Sequence, residues 1–261
     1  LLGGFPCQSF STVNPTKNPF DDRAKLYKRM AKILKEKKPK FFIAENVKGL
    51  VVLKKGKIFK RILKEFEKQD YKTYWHLVNA ADYGIPQRRV RVFIIGIRKD
   101  LPYSFTFPTP SHSEFGVNGK KQWVGLGSVI DSVSDVDKKY YFSEKAVLGM
   151  KKAKKNMKRG LAQDLKSPCL TITSHLAKVS LNSRDPVLLV NAEKELYRRF
   201  TPLEAARIQS FPNNFRFVGS DANAYHQIGN AIPPVLMWHV AKALADQTDG
   251  GYIHKAKKGA R

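Results

Sequence analysis

Cysteine, glutamate and arginine carry much covalent and acid–base chemistry, and the chain offers them in four short stretches. "GGFPCQSF" holds Cys7 between a proline and a glutamine, just after two glycines and an apolar "LL". The only other cysteine is Cys169, which leaves no disulfide framework and no metal spacing. A free cysteine here is either an inert buried thiol or a nucleophile at the end of a strand. "FFIAENV" brings Glu45 to a strand end. That carboxylate is either an ordinary helix-capping group or a neighbour of Cys7 on one rim, since ligands of open α/β sheets bind beyond the carboxyl ends of strands. "PQRRVR" (86–91) sets Arg89 and Arg91 two apart, on one face if the segment is extended. "QIGNAIPP" (227–234) reads as a Gly-Asn turn closed by two prolines before a helix.

The elements that must position these residues follow from periodicity. "LLGG" reads as the end of a buried strand, and 8–22 as a long polar loop, of the kind that is either a functional lid or disordered. Leu26, Tyr27, Met30, Ile33 and Leu34 form a helical stripe within 23–37, which Pro39 stops. "FFIAEN" is a buried strand, and Ile58, Phe59, Ile62, Leu63 and Phe66 mark a second amphipathic helix. Strands are expected at 71–80 and 90–98. The link between them is too short for a crossover, so as neighbours they are antiparallel. Half of an open α/β sheet results, with an antiparallel edge and helices on its faces. Near Lys99 the texture turns to Pro, Ser, Gly and aromatics, and a basic helix is expected within 143–160, capped by Ser143. "TPLE" (201–204) is a capping box with proline at the first helical position, opening a helix to about Gln209. A last helix runs over about 234–247.

Composition narrows the partner. Net charge is +26, from 48 Lys+Arg against 22 Asp+Glu. This favours a polyanion, most simply nucleic acid. Neither a membrane span nor a signal peptide is visible. Two widely spaced thiols suit a reducing, cytoplasmic setting.

Together the stretches resemble the DNA (cytosine-5) methyltransferases of bacterial restriction-modification systems. "GGFPCQSFS" resembles the nucleophile motif. "DDRAKLYKRMAKILKEKKPKFFIAENVKGL" resembles the next two motifs, and "NAADYGIPQRRVRVFIIGIR" the one with substrate-facing arginines. "RRFTPLEAARIQSFPNNFRF" and "YHQIGNAIPPVL" resemble the last two. The resemblance implies a partial Rossmann-like, S-adenosylmethionine-dependent methyltransferase sheet and a second, irregular, mostly β target-recognition domain. The implied division is 1–100 catalytic, 101–192 target-recognising, and 193–261 returning to the catalytic domain. Cys7 would attack C6 of a cytosine flipped out of duplex DNA, making C5 reactive toward a methyl donor. Glu45 would act at N3 and the exocyclic amine, with a raised pKa in a dry pocket. Arg91, with Arg89, would bind the O2 side of the ring. The resemblance places Pro6, Leu26, Asn230 and Ala231 at the cofactor, and Gln8, Ser9, Gln87 and Thr171 at the DNA. It implies no metal, and a structural role for Cys169.

The chain departs from the family pattern at its start. A glycine-rich turn and an acidic residue should precede the nucleophile motif. On the order of 70 residues, two to three strand–helix units, are missing by this reading. The expectation is a truncated piece of an enzyme that is monomeric when full length, a split enzyme whose partner chain supplies the first half, or a decayed gene. Alone, the chain is expected to bind S-adenosylmethionine poorly. Two rival functions keep part of the pattern: a transfer-RNA cytosine-5 methyltransferase, and a non-catalytic DNA-binding subunit.

Overall fold

The computed structural model describes residues 1–5, 26–132, 136–154, 162–178 and 186–248. The chain divides into two compact units. One comprises Leu1–Asn79, Val90–Thr109 and His239–Arg261; the other comprises Ala80–Arg89 and Pro110–Trp238. These units do not divide at positions 100 and 192, since 80–89 and 193–238 pack within the second.

The first unit is built on β1 (Leu2–Gly3), β2 (Phe41–Val47), β3 (Tyr71–Asn79) and β5 (Val90–Arg98), in the order β1-β2-β5-β3. β1 runs parallel to β2, and β5 is antiparallel to both β2 and β3. An α/β sheet with β3 and β5 antiparallel is thus present, but the antiparallel strand is interior rather than at the edge. The short 80–89 link returns β5 beside β3. The unbroken apolar run of β5, buried from 92 to 97, then needs cover on its other edge and both faces, and β2 supplies that edge. Leu1 and Leu2 are 40% and 65% exposed, and β1 lies at the edge of the sheet among the described residues.

Three helices cover one face: α1 (Tyr27–Lys37), α2 (Gly49–Val52) and α3 (Lys57–Glu67). The expected stripe holds in α1, where Tyr27, Met30, Ala31 and Leu34 are buried, although Ile33 is 43% exposed. Left-handed Lys38, whose N–H donates to the Leu34 carbonyl, ends the helix before Pro39. Residues two apart on a strand share a face. Phe42 and Ala44 of β2 and Val92 and Ile94 of β5 accordingly join Phe59, Ile62 and Phe66 of α3 in one core. The Phe42 ring meets Phe66 and Tyr71 edge-on, each at 5.3 Å between centroids. Each fully buried side chain of this size contributes about 1.5–3 kcal/mol. Against the opposite face, Tyr103, Phe105 and Phe107 stack on Phe41, Tyr74 and His76.

The second unit has little regular sheet. Its described strands, two to four residues long, form three pairs: β4 (Gln87–Arg88) with β8 (Cys169–Leu170), β6 (His112–Ser113) with β7 (Lys121–Gln122), and β9 (Leu188–Asn191) with β10 (Leu196–Arg198). Its helices are α4 (Glu144–Lys154), α5 (Pro202–Ile208) and α6 (Asp221–Asn230). In α4 the expected cap is present, with Ala146 N–H donating to Ser143 Oγ; the expected extension to Gly160 lies outside the described residues. The capping box of α5 also forms. Glu204 N–H donates to Thr201 Oγ1 at 3.1 Å, and Thr201 N–H donates to Glu204 Oε2 at 2.8 Å. The "QIGNA" segment is not an isolated turn. It is the C-terminal end of α6, which Ser220 caps and Ala224, Tyr225 and Ile228 anchor. α7 (Pro234–Asp246) follows. Among the described residues, no helix is long and apolar enough to cross a membrane, and no group of His, Cys, Asp and Glu is placed to hold a metal.

Candidate active site

In the first unit the sheet register builds a charged pair at the ends of two strands. Val47 pairs with Arg91, and Glu45, two residues back on β2, shares that face. Arg91 Nε lies 3.1 Å from Glu45 Oε1, with the two side chains only 13% and 15% exposed. Arg91 also donates to the Val90 carbonyl at 2.9 Å. Glu45 is therefore not a helix cap. Gly4 passes alongside, where a Cβ would sit 3.3 Å from the Glu45 carbonyl oxygen and 3.5 Å from Oε2, a tight but not forbidden approach. Buried Asn46 completes the arrangement. Its Nδ2 donates to the Phe5 carbonyl at 3.0 Å, and its Oδ1 accepts from Val47 N–H. Asn46 thus fixes the chain two residues before Cys7. Sequence reasoning passed over it although it stands within the quoted "ENV". Pro6, Cys7, Gln8 and Ser9 lie outside the described residues.

The second unit assigns its predicted site residues differently. Arg89 is 3% exposed, and its guanidinium donates to three carbonyl oxygens: Ile172 at 2.9 Å, Gly229 at 3.0 Å and Ala231 at 3.0 Å. The expectation that Arg89 faces a substrate is corrected, because these donors are spent on main chain that no strand or helix satisfies. Gln87, expected at the DNA, is corrected on the same ground. It is fully buried, accepts from Ile172 N–H at 3.1 Å and donates to Gln209 Oε1. Gln209, unnoticed in the sequence, donates to the carbonyls of Ile228 at 2.8 Å and Ala231 at 3.0 Å. Gly229 permits this knot, for a Cβ there would fall 2.2 Å from Ser174 N and Thr173 C. Thr171 stands beside it, its hydroxyl donating to the Arg88 carbonyl at 2.8 Å. Cys169 is fully buried, and burial pushes its thiol far up from its ordinary pKa, so it is an inert member of the apolar core.

Of the expected cofactor residues, Leu26 opens α1 with its carbonyl accepting from Arg29 N–H, and it is partly buried. At Ala231 the main chain is already engaged: the N–H donates to Gln227 and Ile228 carbonyls, and the carbonyl accepts from Arg89 and Gln209. Asn230 is exposed, with its amide nitrogen 3.2 Å from His226 Nε2. The turn therefore fits a ligand wall that presents one amide side chain on a rigid backbone.

Known proteins carry the same pattern. Residues 1–246 match the model of the C-5 cytosine-specific DNA methylase family. The chain is 34% identical to the Type II methyltransferase M.NgoFVII of Neisseria gonorrhoeae, over 94% of this chain and 68% of that protein. It is 35% identical to the Type II methyltransferase M1.ScrFI of Lactococcus lactis subsp. cremoris, over 99% of this chain and 64% of that one. Against M.FnuDI of Fusobacterium nucleatum it is 32% identical over 98%, spanning 79% of the relative. The chain thus spans about two thirds to four fifths of these relatives' length. Two solved structures share the fold: the Dnmt2 methyltransferase of S. pombe (TM-score 0.69, 16% identity, 94% of this chain and 76% of that one) and the methyltransferase EhMeth of Entamoeba histolytica (0.68, 21%, 94% and 76%). A family match over nearly the whole chain, and a sheet that sets Glu45 against Arg91, give one conclusion: the chain belongs to the C-5 cytosine-specific DNA methylase family.

Proposed function

We propose that the protein is a DNA (cytosine-5) methyltransferase of a restriction-modification system, acting on a cytosine flipped out of duplex DNA. Cys7 is the nucleophile. Its thiolate adds to C6 of the ring, which converts the unreactive C5 into an enamine-like carbon. Glu45 donates a proton or hydrogen bond at N3. Arg91, held beside it, binds the O2 side and offsets the charge that develops there. Arg89 and Gln87 act as positioning residues, holding the turn at 229–231 and the strand end at 169–172. S-adenosylmethionine would be held by Pro6, Leu26, Asn230 and Ala231, and would supply the methyl group to C5, leaving as S-adenosylhomocysteine. Water, as the base, then takes the C5 proton; the C6–S bond breaks, the Cys7 thiolate leaves and the C5–C6 double bond is restored. Gln8, Ser9 and Thr171 contact the DNA, and the region 101–192 reads the target sequence.

The observation that carries this reading is the Glu45–Arg91 pair at the strand ends, with Asn46 gripping the carbonyl of Phe5, two residues before Cys7 in sequence. The decisive test is methyl transfer to duplex DNA by the full-length protein. Cys7→Ala should reduce it to background, whereas Cys169→Ala should leave most of it. A duplex carrying 5-fluorocytosine should trap a covalent complex with the wild type and none with the Cys7 variant. Substantial turnover by Cys7→Ala would refute the mechanism. Preferential methylation of transfer RNA would move the function to the rival substrate.

A further inference from the structure

The three arginines of "PQRRVR" have three separate fates. Arg89 is consumed by carbonyls and Arg91 is paired with Glu45. Arg88 is 42% exposed, its Cζ lies 5.1 Å from the centroid of the Trp123 ring, and its NH2 is 3.3 Å from Glu114 Oε1. The platform beneath it is rigid. Trp123 Nε1 donates to Asp82 Oδ1 at 2.9 Å, and the Trp123 main-chain N–H donates to the Ser113 carbonyl at 2.9 Å, which holds Glu114 alongside. The Arg88 backbone is fixed by pairing of β4 with β8 and by the Thr171 hydroxyl. Arg88, Glu114 and Trp123 line a shallow cleft of about 190 Å³, with Phe115, 77% exposed, also on its wall.

Stability does not account for this arrangement, because an ion pair between two side chains this exposed contributes little. Recognition chemistry does. A guanidinium is planar and presents its donors as a fork suited to bidentate contacts, and the indole beneath holds it in place. Guanine offers two acceptors, O6 and N7, on its major-groove edge, and its partner cytosine offers an amino donor beside them. Arg88 matches the first and the Glu114 carboxylate matches the second. A phosphate would suit Arg88 alone and would be repelled by Glu114. An A·T pair would set the adenine amino group against the arginine.

We infer that Arg88 and Glu114, carried on Trp123, read one G·C base pair of the target duplex through the major groove. The inference rests on the proposed action on duplex DNA, so its test uses binding as well as methylation. The full-length wild type selects its target from a random duplex pool, and fluorescence anisotropy then compares that duplex with single base-pair changes. Discrimination at one G·C pair should fall about tenfold or more in Arg88→Ala and in Arg88→Lys, with other positions unchanged. Glu114→Gln should weaken choice at the same pair. Replacing that guanine with 7-deazaguanine should cost the wild type affinity and leave Arg88→Ala indifferent. Thermal unfolding of all three variants checks that they fold. A uniform loss of affinity on all sequences, with a shallower salt dependence, would make Arg88 a phosphate contact and overturn the inference. Unaltered site choice in both Arg88 variants would also overturn it. A wild type that methylates DNA while the variants keep its site refutes only this inference; a wild type that selects and methylates no duplex refutes the functional reading beneath it.

Discussion

The two compact units satisfy the same physical requirement in opposite ways. In the first, long strands and helices pair their own main chain, and the interior is filled with phenylalanine, isoleucine and leucine. In the second, strands are short, and the main chain at Ile172, Gly229 and Ala231 carries buried polar groups that no ladder meets. Buried polar side chains meet them instead: Gln87, Arg89 and Gln209 in one knot, Arg198 and Glu204 in another. An orphaned buried polar group is costly, so the irregular unit keeps polar residues inside for a structural reason. A buried arginine in such a region is therefore no sign of catalysis by itself, as the correction of Arg89 illustrates.

The comparison can be broken most readily at Glu204. Its carboxylate accepts two hydrogen bonds from Arg198, both at 2.7 Å, and others from Thr201 and Asp131 main-chain N–H groups. Glu204→Ala should destabilise the second unit by about 3–5 kcal/mol, because it leaves a buried charge unpaired. Arg198→Met with Glu204→Leu should recover only part of this, since the two N–H groups stay orphaned. Chemical denaturation followed by circular dichroism measures both. Full recovery by the apolar pair would show that the second unit, like the first, needs only volume.

A smaller loss is expected from the apolar side. Leu34→Ala, at a fully buried position of the first core, should cost about 2–5 kcal/mol from lost burial and the cavity left behind. Hydrogen exchange should localise that loss to residues of the first unit. Matching loss of protection in 198–209 would merge the two units into one cooperative block and weaken the contrast.

The smallest effect belongs to the surface of the second unit. Hydrogen bonds from Tyr140 and then Lys139 hold the Asp221 carboxyl below its usual pKa, against an opposing desolvation effect. A depressed carboxyl stabilises the fold above its unfolded-state pKa and loses that contribution as pH falls through the folded value. Asp221 is about half exposed, so Asp221→Asn should cost no more than about 1 kcal/mol at neutral pH. The difference from wild type should shrink as pH drops below about 4. A difference that persists or grows in acid would show that the pair is not what stabilises this corner.

Much of the first unit was legible because its determinants are local or periodic. The stripe from Tyr27 to Leu34, the proline at 39 and the continuous run of β5 each follow from a few neighbouring residues, as does the capping box at Thr201 in the second unit. The order of short motifs likewise identified the family, and the family model agrees. The sequence also marked Glu45 as a strand-end carboxylate and Arg91, with Arg89, as a pair two apart in a short turn. It missed the helix 221–230, whose few apolar residues lie beside a glycine and an asparagine that read equally well as a turn. It placed the antiparallel strand at an edge, because nothing local states which strand lies on the far side of β5.

What sequence could not decide is the division of labour among arginines and glutamines that look alike in a string. Arg88, Arg89 and Arg91 lie within three positions of one another, yet one is exposed on an indole, one is buried among carbonyls and one faces a carboxylate. The oxygens that claim Arg89 belong to residues 83, 140 and 142 positions away. A side chain's fate is set by the electrostatic partners and the burial it meets in space. Only the tertiary structure brings those partners to it, so it alone separates the arginine that builds the site from the arginine that serves it.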